Sequence, residues 1–229
     1  MTKSTSVLFK FGLLAAGVLT LQTQASTIFV GSQGALAPDD FVDWGQLGAP
    51  FTAVFSGSVV TSDNGLILTV TSTGGTMQRR DQTTGGWSGN FGSGEKLLWN
   101  AGNGGDISIS FATAIYGLGG GAQIQSDYFG GFSGTISAFD SSNTLLGSHG
   151  FSGYSSSAGD DSAVFVGILS SSPNISRISF TAFNSVTDFA INELQLVTTP
   201  GTPTPDSSTN LALLGLACMA LAVTRRTIA

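Results

Sequence analysis

The stretch Asp106–Thr113, DISISFAT, carries the pattern that decides the fold of this chain. Its apolar residues Ile107, Ile109 and Phe111 stand at every second position, and polar residues fill the positions between them. Successive side chains of a β-strand point to opposite faces, so this alternation predicts a strand with one buried and one exposed face.

The same alternation recurs along most of the chain between clusters of Gly, Ser, Asn and Asp, which are typical of turns. No long stretch between the two terminal segments has helical spacing. Residues 26–197 are therefore predicted to form an all-β domain of about eight to ten strands, a β-sandwich or a jelly roll. Further candidate strands are FTAVF (51–55), LILTVTS (66–72), AQIQSDY (122–128), SGTISAFD (133–140), SAVFVGIL (162–169) and ISRISFTAF (175–183).

The last candidate strand, DFAINELQLV (188–197), changes phase in its middle. Phe189 and Ile191 have one parity, whereas Leu194 and Leu196 have the other. One extra residue in a strand produces this change, so the sequence predicts a β-bulge at Asn192–Glu193.

The chain begins with the pattern of a secretory signal peptide. Lys3 and Lys10 precede the apolar run Phe11–Leu21. Thr23 and Ala25 then place small residues at the −3 and −1 positions of a cleavage site. We expect residues 1–25 to be removed by cleavage before Ser26.

The other end carries a second apolar run, Leu211–Val223, followed by Arg225 and Arg226. Residues 211–229 are predicted to form a single transmembrane helix with its arginines on the cytoplasmic side, although the run is short for a bilayer. Residues 198–210, rich in Pro, Thr and Ser, are predicted to be a linker that carries a sorting motif.

This tail resembles the PEP-CTERM sorting signal of exported Gram-negative proteins. The resemblance rests on a polar motif, an apolar helix and a basic end: Pro205, Asp206, Ser207, Ser208, Thr209, Arg225 and Arg226. It departs from the commonest form in having Asp206 where Glu is usual. The resemblance implies export through the inner membrane, removal of the helix by an exosortase, and delivery to the cell surface or the extracellular matrix.

The domain between these signals resembles lectin-like β-sandwich ectodomains that occur in many PEP-CTERM proteins. The stretches that carry this looser resemblance are WSGNFGSGEKLLW (87–99), GGGAQIQSDYFGGFSGTISAFD (119–140), AVFVGI (163–168) and FAINEL (189–194). Some members of those families bind glycans or calcium, which makes exopolysaccharide a candidate partner.

One group of polar residues lies early in the domain and another lies in its last predicted strand. They form a candidate calcium site, because the first and last strands of a sandwich often lie close together. Ca²⁺ prefers several carboxylate and carbonyl oxygens, but no dedicated calcium loop is present, and solvated turn acids are the alternative. The candidate ligands of this structural calcium are Asp39, Asp40, Asp43, Asp188, Asn192 and Glu193.

Three tryptophans near glycine-rich turns, Trp44, Trp87 and Trp99, are candidate glycan contacts, because exposed aromatic rings can stack on sugar faces. The alternative is that they pack in the core, where large aromatic residues are usually found.

Several other classes of function are disfavoured by composition. Residues 26–203 contain four basic and thirteen acidic residues, and this acidic balance disfavours binding to nucleic acid. A single histidine, His149, and a single cysteine, Cys218 in the tail, are too few for a zinc site. The glycine-rich stretch 117–122 fits a dinucleotide motif, but a strand follows it, so a turn is predicted.

The sequence therefore favours a noncatalytic exported protein of the cell surface or matrix that adheres to other surfaces or binds glycans. One alternative is a secreted hydrolase that acts on polysaccharide, which needs paired carboxylates across a cleft. A structural coat subunit is another. The acids considered for the hydrolase are Asp127, Asp140, Asp160 and Asp161.

Overall fold

The computed structural model describes residues 26–112 and 119–199, and almost all regular structure in them is β. Strands are numbered along the chain. The ten-stranded sheet contains β1 (Thr27–Val30), β2 (Asp40–Val42), β3 (Ala53–Val54), β6 (Met77–Gln82), β7 (Gly86–Trp87), β8 (Lys96–Trp99), β10 (Gly119–Ser126), β13 (Val164–Ser170), β15 (Phe189–Ile191) and β16 (Leu194–Val197). The six-stranded sheet contains β4 (Ser58–Thr61), β5 (Ile67–Thr71), β9 (Ile107–Phe111), β11 (Gly130–Phe139), β12 (Leu145–Ser155) and β14 (Arg177–Phe183).

Helical structure in the described residues is confined to α1 (Gln33–Leu36) and a 3₁₀ helix (Trp44–Leu47), each four residues long. The predicted all-β fold class is confirmed, but the described residues form sixteen strands, not the eight to ten that the sequence predicted.

The two sheets have different strand orders. The main path of the ten-stranded sheet runs β1-β13-β10-β15-β8-β6-β3, with β16 between β10 and β2, and β7 beside β6. The six-stranded sheet runs β12-β11-β14-β9-β5-β4. Within the described residues, the strand pairs are antiparallel except β6 with β7. Most of these neighbours are distant in the sequence, so long-range pairing holds the fold together.

Ile107–Phe111 of the stretch DISISFAT form β9, as their alternation predicts. Ile107 and Ile109 are fully buried, and β9 lies between β14 and β5 in the six-stranded sheet. Ser110 pairs with Arg177 on one side and with Thr69 on the other. The period of two therefore locates the strand and the face that carries Ile107 and Ile109. The opposite face is not exposed throughout, because Ser108 is also buried, with its hydroxyl bonded to Asp106 and Arg177.

One cluster of buried side chains joins the two sheets. Leu68, Ile109 and Phe180 of the six-stranded sheet pack in the same cluster as Ile124 and Ile168 of the ten-stranded sheet. Every member of the cluster lies between Val42 and Leu196. Residues 26–199 therefore contain their own hydrophobic core, whose burial is the main favourable contribution to folding.

The β-bulge predicted at Asn192–Glu193 is present. Ile124 of β10 pairs with Ile191, whereas Gly121 of the same strand pairs with Gln195. Three steps along β10 thus correspond to four steps along its partner, which is the signature of one inserted residue. The insertion divides the predicted last strand into β15 and β16.

The turn predicted for the glycine-rich stretch is wrong in the part that the structure describes. Gly119–Gly121 open β10 and lie between β13 and β16. A methyl group on Gly120 would approach the carbonyl oxygen of Gln195 to 2.8 Å and the Ile178 Cδ1 atom to 3.1 Å. Glycine is used here because neighbouring groups come too close for any larger residue.

The chain leaves the ten-stranded sheet after β16, and its next residues bind Asp39. The Asp39 carboxylate accepts hydrogen bonds from the Thr198 amide at 2.7 Å and the Thr199 amide at 2.9 Å, and from both threonine hydroxyls. These bonds attach the first residues of the predicted linker to the domain.

No helix within residues 26–112 and 119–199 is long and apolar enough to cross a membrane. The predicted signal peptide, residues 200–210 of the predicted linker and the predicted transmembrane helix all lie outside the described residues.

Candidate functional site

A cavity of about 480 Å³ lies beside the β-bulge. We call it the amide–carboxylate cavity, after the side chains that line it. Its principal polar lining residues are Asp43, Glu95, Lys96, Gln123, Asp161, Asn192, Glu193 and Gln195. They come from separate elements, because β10, β8 and the bulge between β15 and β16 meet at this place in the ten-stranded sheet.

Asn192 is the centre of the hydrogen-bond network in this cavity, and only 8% of it is exposed. Its amide nitrogen donates to Gln123 Oε1 at 2.6 Å and to both carboxylate oxygens of Glu95 at 3.3 Å. Its side-chain oxygen accepts from the Gln123 backbone amide at 2.8 Å. The bulge aims this side chain across β10 and thereby fixes the positions of Gln123 and Glu95.

Two carboxyl groups in the cavity are less acidic than usual. Burial raises the pKa of Glu95, and the nearby negative charges of Asp161 and Glu193 also raise it. The hydrogen bonds that Glu95 accepts lower its pKa, but by less. Burial also raises the pKa of Glu193, to which Asp43 and Asp63 add repulsion. Both groups therefore hold a proton more readily than a free glutamic acid.

Lys96 provides the positive charge in the cavity, and it is paired with Asp43. The Lys96 Nζ atom lies 2.5 Å from Asp43 Oδ2, with both side chains almost half exposed. Burial would raise the pKa of Asp43, but Lys96 and the Gly45 amide outweigh it and lower that pKa. The remaining carboxylates of the lining leave the cavity with a negative balance.

The six predicted calcium ligands are not gathered in one place. Asp43, Asn192 and Glu193 line the cavity, whereas Asp39 binds the residues after β16. No group of three or more His, Cys, Asp or Glu side chains suited to a metal ion occurs in the described parts of the chain.

The other two predicted ligands, Asp40 and Asp188, have partners of their own. Asp40 accepts from the Ser62 hydroxyl at 2.5 Å and from the Asn64 amide at 3.0 Å. Asp188 accepts from the Trp99 indole at 2.5 Å. These bonds use oxygens that the predicted calcium site would need.

Two of the three predicted glycan contacts are core residues. Trp44 is fully buried, and its indole donates to the Asn192 backbone oxygen at 2.6 Å. Trp87 is 4% exposed. Neither ring can stack on a sugar without leaving its packing. Trp99 is partly exposed, but the Arg80 guanidinium lies 4.5 Å from the centre of its ring and covers part of it.

The acids considered for a hydrolase do not converge. Asp161 lines the cavity, but Asp140 accepts amides of its own turn and Asp160 accepts from Ser162 and Asn90. Asp127 lies near Asp188, and burial followed by that neighbouring charge raises its pKa. His149 lies beside Thr27, 3.1 Å from its hydroxyl.

Sequence reasoning missed Glu95, Gln123 and Gln195 as members of the site. Gln123 and Gln195 occupy polar positions of alternating strands, AQIQSDY and LQLV, where glutamines are easily taken for solvated residues. Asn192 and Glu95 are 97 residues apart in the chain. Only the pairing of β10, β15 and β8 brings these side chains together.

Comparison with known proteins leaves the family of this chain open. No family model matches it, and no curated protein matches it. A crystal structure of a DUF4465 family protein from Bacteroides caccae matches 75% of this chain and 99% of that protein, at 12% identity and a TM-score of 0.38. A similarity at this level supports no argument about function.

Proposed function

We propose that this chain is an exported, noncatalytic protein of the cell surface or extracellular matrix that binds a glycan in the amide–carboxylate cavity. The proposal includes a β-sandwich or jelly-roll ectodomain, with a cleaved signal peptide before it and a transmembrane helix after it. The sequence of residues 205–229 supports sorting by an exosortase-type enzyme.

The observation that carries the glycan proposal is the amide network around Asn192. Sugar hydroxyls both donate and accept hydrogen bonds, and the cavity offers carboxylates as acceptors and amides as both donors and acceptors. Gln123 and Glu95 are held in place by Asn192, so little conformational entropy is lost when they bind a ligand. The cavity is also large enough for a sugar unit.

Retention by polysaccharide tests the glycan proposal. The exported protein is passed over immobilised fractions of the exopolysaccharide of its own host. We expect retention by at least one fraction, and about tenfold weaker retention for Gln123→Ala, since loss of a hydrogen bond to a ligand costs about 1 kcal/mol or more. Asp140→Asn, in the turn after β11 of the six-stranded sheet, is the control that should bind normally. No retention by any fraction, or equal retention of both variants, would contradict the proposal.

A polysaccharide hydrolase is the second candidate, favoured by the raised pKa values of Glu95 and Glu193 in one cavity. A glycosidase uses one such carboxyl group as an acid and another as a base or nucleophile. Release of reducing ends from the retained polysaccharide separates the two functions. We expect no release; release that disappears in Glu95→Gln while retention persists would establish the hydrolase instead.

The sorting proposal is tested by mass spectrometry of the protein recovered from the native cell surface. We expect a C-terminus near Pro205–Thr209, with residues 211–229 removed. An intact Ala229 on the surface protein would show a membrane-anchored ectodomain and contradict processing.

A further inference from the structure

β12 is a long edge strand of the six-stranded sheet. It contains 11 residues, and among the strands of residues 26–112 and 119–199 it pairs only with β11. Every second backbone amide and carbonyl of an edge strand points away from its neighbour and lacks a partner in the sheet. β12 therefore presents a row of backbone donors and acceptors on its outer edge.

The nearest strand of the other sheet touches β12 through side chains and leaves this edge open. The Thr27 hydroxyl of β1 lies 3.1 Å from His149 Nε2, and the Phe29 ring packs near the same histidine. No backbone hydrogen bond from another described segment reaches the outer edge of β12.

The opposite edge of the same sheet is protected. β4 is four residues long, and the Gln46 side chain covers its edge at Thr61. Gln46 Oε1 accepts from the Thr61 amide at 2.7 Å, and Gln46 Nε2 donates to the Thr61 carbonyl at 3.0 Å. A side-chain amide thus takes the place of a neighbouring strand.

The edge strands of the other sheet are short. β1 has four residues, β2 has three, and β3 and β7 have two each. Short edges offer few hydrogen bonds to another chain, which is a common protection against pairing. Among the strands that the structure describes, β12 alone is both long and open at its edge.

The sequence of β12, LLGSHGFSGYS, also lacks the residues that usually block an edge. It contains no Lys, Arg, Asp, Glu or Pro. The domain as a whole has more acidic than basic residues, but β12 itself carries no charged side chain. Two β12 strands can therefore lie side by side without repulsion between like charges on the strands. The side chains Ser148, Gly150 and Ser152 are small and exposed, which leaves room for close backbone contact.

We propose that β12 pairs antiparallel with β12 of a second copy of this chain and joins two six-stranded sheets into one. A strand paired with itself about a two-fold axis is self-complementary, so the contact closes at two copies. An axis at the centre of the strand passes near Gly150 and places Ser148 opposite Ser152 of the other copy. This association is independent of the glycan cavity, which lies on the other sheet.

Disulfide crosslinking of the full chain tests the pairing. Gly150→Cys, and separately Ser148→Cys with Ser152→Cys, are placed in a Cys218→Ala background and treated with diamide. Paired residues on antiparallel strands lie about 4.5–5.5 Å apart at Cα, within reach of a disulfide. We expect a crosslinked dimer at several-fold the yield of Val59→Cys, an equally exposed site on β4.

A charge variant provides the second measurement. Adding Gly150→Lys to the pair Ser148→Cys and Ser152→Cys should reduce the dimer several-fold, because two lysines would face each other across the joint. Val59→Lys in the same background should leave the yield unchanged. Yields equal to Val59→Cys, no effect of the lysine, or a crosslinked band with the mass of a different protein would each overturn the proposal. The serine-to-cysteine pair keeps the test valid if Gly150→Cys fails to fold.

Discussion

At the scale of single residues, Asp106, directly before β9, shows how one carboxylate can hold several elements together. Its carboxylate accepts from the Thr73 amide at 3.1 Å and from three hydroxyls, those of Thr73, Ser108 and Ser179, at 2.5 to 2.8 Å. Burial opposes ionisation, but these four bonds outweigh it and lower the pKa of Asp106 to about 2.

Asp106→Asn is expected to destabilise the domain at neutral pH. A carboxyl group with a lowered pKa stabilises the folded state above its unfolded pKa of 3.8, and this contribution is lost as the pH falls through about 2. We expect a loss of about 1–2 kcal/mol at pH 7, after allowance for solvent screening of a partly exposed group.

Urea denaturation at pH 7 and pH 2 measures this effect, and the difference between wild type and variant should shrink at the lower pH. Asp63→Asn, in an exposed turn, is the control with the same change of charge. A variant as stable as wild type at pH 7 would show that the four bonds contribute little.

At the scale of elements, β10 depends on glycines that leave room for its neighbours. Gly120→Val should destabilise the domain by about 1–3 kcal/mol, because the added atoms meet the Gln195 backbone and the side chains of Ile178 and Leu196. Gly131→Val is the matched control, since nothing lies within 4 Å of the added Cβ on β11. Thermal unfolding compares the two, and equal melting temperatures would show that β10 adapts without cost.

The sequence was most informative where side chains alternate. Ile107 and Ile109 predicted β9 and its buried face, and the change of phase at Asn192–Glu193 predicted the bulge. Glycine has no side chain with which to mark a period, so Gly119–Gly121 were taken for a turn although they begin a central strand.

The candidate site was less predictable, because its members meet only through pairing of distant strands. Asn192 and Glu193 were singled out, but the partner of Asn192 on β10, Gln123, is 69 residues away. The buried Trp44 likewise donates a hydrogen bond to the Asn192 carbonyl, at a separation of 148 residues. A single sequence gives no information on contacts of this kind.

At the scale of the whole molecule, several carboxyl groups are partly buried and hold their protons more strongly than free carboxylic acids do. The pKa values of Glu95, Asp127, Asp188 and Glu193 are all raised, with burial as the largest cause in each. A carboxyl group whose pKa is higher in the folded state than in the unfolded state stabilises the folded protein at pH values below its unfolded pKa. This stabilisation is lost as the pH rises through its folded pKa. These groups therefore favour greater stability in mild acid than at neutral pH.

Asp127→Asn is expected to raise the melting temperature at pH 7 by about one to a few degrees, because it removes a charge that is disfavoured by burial and, to a smaller extent, by repulsion from Asp188. The difference should disappear near pH 3, where wild-type Asp127 is protonated. Asp160→Asn is the control with the opposite sign, because hydrogen bonds from Ser162 and Asn90 lower the pKa of Asp160. Scanning calorimetry at both pH values measures the shifts, and a lower melting temperature for Asp127→Asn at pH 7 would contradict the sign.

The position of β16 between the cavity and the chain end has a mechanical consequence. Asn192 and Glu193 precede this strand, and Thr198 and Thr199, fastened by Asp39, follow it. With a ligand held in the cavity and the C-terminal side tethered, tension would enter β16 directly from Asn192 and Glu193, and from Gln123 through the pairing of β10 with β16. β16 has neighbours on both edges, β10 and β2, and their hydrogen bonds lie across the direction of pull. Such bonds are loaded in shear and must break together. The domain should therefore resist a force that would separate a strand pulled from the edge of a sheet one hydrogen bond at a time.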